Sequence, residues 1–200
     1  MARPIGTIIA LVTSVMIVAG CSTTGGVPHP TGSGPTASIP FDDCPAPLDG
    51  QTAPPPRSGA TLVPDVSLPC FTGTGPVALR GLAKPAVINL WASWCGPCRD
   101  ELPAFEAVYQ AAGDRLAMLG VDSKDTKPGA QSLAEDLGIT MPSVFDPEGK
   151  ALKGVGQTAL PITLFVDASG ELTFVYVGVA LTVPALRQLI ETHLGVTVEL

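Results

Sequence analysis

Histidine is scarce in this 200-residue chain: His29 and His193 are the only two, and both lie far from the one close cysteine pair, Cys95 and Cys98. A zinc or copper site takes three or four ligands, and a single CxxC supplies two. With no second CxxC and no histidine cluster, the sequence argues against a metal centre. Long apolar runs are missing as well. The longest, Ile5 to Val18, has roughly 14 residues, short of the about 20 that a membrane span needs. Positive charge is also in deficit, with 11 Lys and Arg against 18 Asp and Glu and a formal net charge of -7. An acidic surface repels nucleic acid and anionic lipid, so neither is expected as a partner. No internal repeat or long charge block stands out, and most carboxylates read as a solvated, solubilising face.

What is present fits one domain, with a hydrophobic share of 46% that is ample for a core. Met1-Ala2-Arg3 followed by the short apolar run reads as a secretory signal. The run ends in Val18-Ala19-Gly20-Cys21, which resembles the lipobox of bacterial lipoproteins, so residues 1–20 are expected to be removed and Cys21 to be acylated. Several acyl chains on one residue give stable anchoring where one does not. Residues 21–59 are dense in Pro, Gly, Ser and Thr and read as a tether, since such composition cannot offset its ordering entropy. The globular domain is expected over 60–200.

Within it, Ala60 to Phe71 and Pro76 to Arg80 suggest a hairpin around Gly73-Thr74-Gly75. Ala86 to Trp91 is a near-continuous apolar run, as in a strand buried on both faces. A helix follows from Cys95, with Leu102, Phe105, Ala107 and Val108 on one face and Gly113 as its stop. Leu116 to Val121 reads as a strand, Ala130 to Leu137 as a helix and Pro142 to Phe145 as a short extended piece closed by Asp146-Pro147-Glu148-Gly149. Ile162 to Val166 and Glu171 to Val177 flank the turn Asp167-Ala168-Ser169-Gly170, a hairpin signal. Val183 to Leu194 is an amphipathic helix. Strands alternating with helices and ending in a hairpin plus helix predict a three-layer α/β/α sandwich around a mixed sheet.

Cys95 and Cys98 enclose a Gly96-Pro97 pair in LWASWCGPCR. As an inert crosslink the pair would do little, because so small a loop removes little denatured-state entropy. As a redox couple it has a physical basis. Cys95 falls where a buried strand gives way to a helix, so its sulfur lies near unpaired backbone N–H groups and the positive end of the helix dipole. Both favour the thiolate, the form that attacks disulfides. Pro97 suits the first helical turn, where its missing N–H is no loss. Trp94, beside an exposed sulfur, would form part of a flat contact surface.

VINLWASWCGPCRDELP resembles the active-site strand and helix of the thioredoxin superfamily, and Asn89, the NLWASWC form and Arg99-Asp100-Glu101-Leu102-Pro103 are similar to its membrane-tethered TlpA/ResA-like branch. Leu160-Pro161-Ile162-Thr163-Leu164-Phe165 is similar to the LPTTF segment that carries the superfamily's cis-proline. An X-Pro bond is by itself trans in most cases. The resemblance implies that Pro161 is cis, faces the cysteine pair and, with Leu160, Trp94, Gly96 and Pro97, forms the substrate-binding surface. Ile162 departs from the usual threonine. A second departure is Asn89, which stands where cytosolic thioredoxins carry a buried aspartate and cannot take up a proton. Glu101, one turn beyond Cys98, matches the glutamate that the branch places near its cysteines. It becomes the candidate for proton transfer, against the alternative of an ordinary first-turn acid stabilised by the helix dipole.

Cys44 and Cys70 remain. In an oxidising exported compartment two leftover cysteines at a domain edge pair most simply with each other. Closing a loop of about 27 residues would contribute roughly 3.5 kcal/mol in the chain-entropy model. The resemblance implies a monomeric, lipid-anchored extracytoplasmic thiol-disulfide oxidoreductase with Cys95 as nucleophile and Cys98 as resolving thiol, requiring no cofactor. It would reduce disulfides of exported proteins, as in cytochrome c maturation, and be re-reduced by a membrane electron carrier. Gly-Pro between the cysteines resembles reducing thioredoxins, near about -270 mV, rather than strong oxidants near about -120 mV. The alternatives are an oxidase or isomerase for exported proteins using the same residues, and a copper-binding lipoprotein of thioredoxin-like fold.

Overall fold

The computed structural model describes residues 38–45, 55–82 and 84–200. The expected signal, Cys21 and most of the expected tether lie outside the described residues. Five strands form the central sheet: β3 (Ala86–Trp91), β4 (Ala117–Ser123), β5 (Ser143–Asp146), β6 (Ile162–Val166) and β7 (Leu172–Val177). Their order is β5-β4-β3-β6-β7. β3 pairs in parallel with β4, and β4 with β5, whereas β3–β6 and β6–β7 are antiparallel. The sheet is therefore mixed, as the pattern of elements predicts. β1 (Ser67–Pro69) and β2 (Pro76–Ala78) form a separate antiparallel hairpin, shorter than the extended segments read from the sequence.

Four helices complete the layers: α1 (Gly96–Ala112), α2 (Lys127–Leu137), α3 (Lys150–Gly154) and α4 (Val183–Leu194). Alternation along β3 separates two cores. Val87 and Trp91 pack with Leu102, Phe105 and Val108 of α1, Leu133 of α2 and Leu186 and Ile190 of α4. Ala86, Ile88 and Leu90 face the other way, onto Leu68 and Val77 of the hairpin and Ala151 and Leu152 of α3. On α1, Ala104 is buried and Ala107 only half-buried, a small shift of the apolar face from the sequence reading. The shift accompanies Pro103, which lies inside the helix.

Two elements depart from expectation. α3 follows directly on the Asp146-Pro147-Glu148-Gly149 turn, where the sequence reading placed no element: Gly149 adopts φ 64°, a left-handed conformation open to glycine, and Asp146 accepts the Lys150 and Ala151 amides at 2.8 and 3.0 Å. The second is residues 38–45, inside the stretch read as tether. Phe41 there is buried, 4.7 Å from Phe71 and 6.3 Å from Trp91 between ring centroids. Asp42 donates its amide to Thr140 O at 2.7 Å and accepts from Tyr109 Oη at 2.8 Å. Cys44 closes this arm onto the domain through a disulfide to Cys70, with Cα atoms 6.1 Å apart.

Candidate active site: a disulfide at the start of the first helix

β3 ends at Trp91, and a tight turn closed by Cys95 N–H to Ala92 O, at 3.1 Å, delivers the chain to α1. Cys95 is the N-cap residue. Its backbone is extended, at φ -87° and ψ 107°, and its sulfur accepts the Cys98 amide at 3.3 Å. One of the unpaired donors of the helix start thus points at the sulfur, the arrangement that favours a thiolate. Pro97 sits in the first turn. Cys95 and Cys98 are joined in a disulfide with Cα atoms 5.3 Å apart.

Of the two, Cys98 is fully enclosed and Cys95 is 4% exposed, so access to the pair runs through Cys95. The sulfur is more sheltered than the sequence reading supposed. The exposed surface around it consists of Trp94, at 61%, with Gly96 and Pro97. Trp94 is fixed by its indole N–H, which donates to Lys124 O at 3.0 Å.

Leu160-Pro161 is a cis peptide bond, and Pro161 is buried. Leu90 pairs with Ile162 in the antiparallel β3–β6 ladder, which puts Pro161 level with Trp91, at the end of the sheet where the cysteines lie. Register alone therefore brings the cis-proline to the redox turn. Leu160 packs partly buried against both cores.

Glu101 is fully buried on α1, one turn beyond Cys98. Its Oε1 accepts from the Asn89 amide at 2.7 Å and its Oε2 from the Leu181 N–H at 3.1 Å. Burial pushes its carboxyl above the usual carboxylate range, against the opposing pull of the bonds from Asn89 and Leu181. An exposed first-turn acid would carry neither feature. The contribution of Leu181 was not visible in the sequence, because it is a backbone donor 80 residues away.

This sheet with its helical layers, carrying a cysteine pair at a strand-to-helix junction and a cis-proline at the same end of the sheet, defines a thioredoxin-like protein. More narrowly, the chain belongs to the AhpC/TSA family, whose profile matches residues 60–175. It is 28% identical over 118 residues to the thioredoxin-like protein YneN of Bacillus subtilis, covering 58% of this chain and 69% of that protein. It is 30% identical over 112 residues to the thiol-disulfide oxidoreductase ResA of Geobacillus thermodenitrificans, covering 54% and 63%. The match thus spans about two thirds of the length of these relatives. Among solved structures, the exposed lipoprotein thioredoxin Etrx1 of Streptococcus pneumoniae superimposes with a TM-score of 0.56 at 26% identity, covering 64% of this chain and 98% of that one. A DsbF homologue from Corynebacterium diphtheriae, at 24% identity, shares the fold with a TM-score of 0.58 over 75% of this chain and 98% of its own.

Proposed function

We propose that this protein is an extracytoplasmic thiol-disulfide oxidoreductase, anchored through acylated Cys21, that reduces disulfides of exported proteins. The observation that carries the reading is the Cys98 amide held on the Cys95 sulfur at the head of α1. In the reduced protein the Cys95 thiolate attacks one sulfur of a partner's disulfide, a mixed disulfide forms, and the partner's other sulfur leaves as thiolate. Cys98 then gives up its proton, with Glu101 as acceptor, and attacks the Cys95 sulfur. The partner leaves with two thiols and the protein keeps the Cys95–Cys98 disulfide. Two electrons have passed from the pair to the partner, and a membrane electron carrier returns them.

Trp94, Gly96, Pro97, Leu160 and Pro161 form the surface on which the partner's chain rests. The resemblance to the TlpA/ResA-like branch supports exported substrates such as apocytochrome c. The test is trapping with Cys98→Ser, in which the mixed disulfide on Cys95 cannot resolve. Recovery of apocytochrome c supports a maturation role, whereas recovery of many unrelated exported proteins turns the reading towards oxidative folding. A measured potential for the pair near the strong oxidants would reverse the direction of flow.

A further inference from the structure

The far end of β4 holds a carboxyl group that this disulfide chemistry leaves unused. Alternation puts Met118, Gly120 and Asp122 on the sheet face that α1 covers, and Asp122 stands in register beside Trp91. It is fully buried, and among the described residues neither of its oxygens meets a hydrogen-bond donor. The carboxyl of Asp125 lies against it. An ionised acid here would be a buried charge beside a second like charge. Carrying a proton, it becomes a donor, and Asp125 is the acceptor at hand.

Asp125 is in turn committed to the redox turn. One of its oxygens accepts the Ser93 amide at 2.5 Å and the other the Thr126 amide at 2.7 Å. Trp94 is bound to the neighbouring carbonyl of Lys124. Ser93 and Trp94 immediately precede Cys95, so the loop of residues 124–126 sets the approach to the nucleophile. Gly129, in α2, comes so near that a Cβ there would lie 2.7 Å from Ser93 Oγ.

We propose that Asp122 is a positioning residue for the redox pair: as a neutral acid it donates a hydrogen bond to Asp125, which transmits the constraint through Ser93 to Cys95. Its consequence for exchange rests on the proposed role of Cys95, but the link from Asp122 to Ser93 does not. Burial, then the charge and hydrogen bond of Asp125, then the charge of Asp146, push the Asp122 carboxyl up to about 9. No cation offsets them among the neighbouring lysines: Lys127 of α2 lies over the Phe71 and Phe145 rings at 5.8 and 5.5 Å, and the Lys124 side chain runs along Gly149. Trp91 of β3 is neutral, and Cys95 and Cys98 of the α1 turn are tied in their disulfide.

The experiment begins with the oxidised protein, in which no thiol titrates. With 13C labels on Asp carboxyls and Ser Cα, the Asp122 carboxyl and Ser93 Cα signals should move together with one midpoint near pH 9. Asp122→Asn keeps a side-chain donor without a titrating proton, so the Ser93 transition should vanish. In the reduced protein, Asp122→Asn should alkylate at Cys95 within about twofold of the parent rate at pH 7, and Asp122→Ala should exchange about tenfold more slowly, as loss of positioning predicts. A Ser93 transition that survives in Asp122→Asn overturns the proposal. So does an Asp122→Asn variant with a lowered Cys95 pKa, since that would mean a negative charge had been removed. Should Cys95→Ser retain full exchange activity, the proposed function fails while the oxidised titration still decides the Asp122 link.

Discussion

Asn89 Nδ2 donates to Glu101 Oε1 at 2.7 Å, tying the middle of β3 to α1 one turn beyond Cys98. Where cytosolic thioredoxins bury an aspartate, this chain buries an amide, and the carboxyl has moved across to the helix. The amide holds the acid in place but cannot carry its proton. In the proposed mechanism the proton goes to Glu101, whose burial biases it towards the neutral form.

Glu101→Gln should consequently slow resolution of the mixed disulfide by about a hundredfold, the low end of what a positioned general base contributes. It should also remove from the pH profile of disulfide exchange the ionisation that lies above the ordinary carboxylate range. Stopped-flow exchange with a small disulfide over pH 4 to 9 measures both. An unchanged profile would return Glu101 to a purely structural part.

Much of this arrangement was legible in the sequence, and the reasons are local. β3, β6 and α4 occupy the residues read for them, Ala86–Trp91, Ile162–Val166 and Val183–Leu194, because each combines a clear period with firm punctuation at its ends. The cysteine setting was legible too, since a buried strand running into CGPC dictates a helix N-terminus. The arm at 38–45 was not, because its one large buried residue, Phe41, stands in a stretch dense in Pro, Gly, Ser and Thr. Asp122 was equally hidden. The strand read from the sequence stops at Val121, one residue short of it, whereas β4 runs on to Ser123, and its burial beside Trp91 is a property of tertiary packing. The available hint was a carboxylate inside an apolar strand pattern, LGVDS.

Trp94 is 61% exposed beside Cys95, which is almost covered, so in the proposed function the indole supplies the contact area for a protein partner. Trp94→Ala should leave exchange with a small aromatic disulfide within about threefold of the parent. With a protein disulfide as substrate, kcat/KM should fall by about tenfold or more, in keeping with the weight of tryptophan at interfaces. Parallel assays of both substrates give the ratio. Equal losses on both would place Trp94 in the chemistry of the turn rather than in partner contact.

The Cys44–Cys70 bridge holds the arm that lays Phe41 on Phe71 and Trp91. Replacing both cysteines by serine should lower unfolding free energy by about 3.5 kcal/mol in the chain-entropy model. Denaturant unfolding of the oxidised proteins measures the loss. Limited proteolysis should then cut near residues 38–45 in the variant while the rest of the domain survives. A loss under about 1 kcal/mol would show that the arm stays docked through Phe41 and the Asp42 bonds to Thr140 and Tyr109 without the bridge.

Asp122 also leaves a mark on stability. Its carboxyl rises from an ordinary 3.8 to about 9 on folding, chiefly through burial, so between those values the native state binds a proton that the unfolded state has released. A raised acid favours the fold at low pH and loses that advantage as pH climbs. Its share of unfolding free energy should therefore fall by about 1.4 kcal/mol per pH unit in the middle of the window, flattening towards both edges. Asp122→Asn carries no such linkage. Subtracting urea-derived stabilities of the two proteins at pH 5, 6, 7 and 8 isolates this group from every other titration. The difference should move steadily in favour of the variant as pH rises. A difference independent of pH would mean that Asp122 ionises in the fold as it does in the unfolded chain, with Asp125 and its own burial unable to hold the proton.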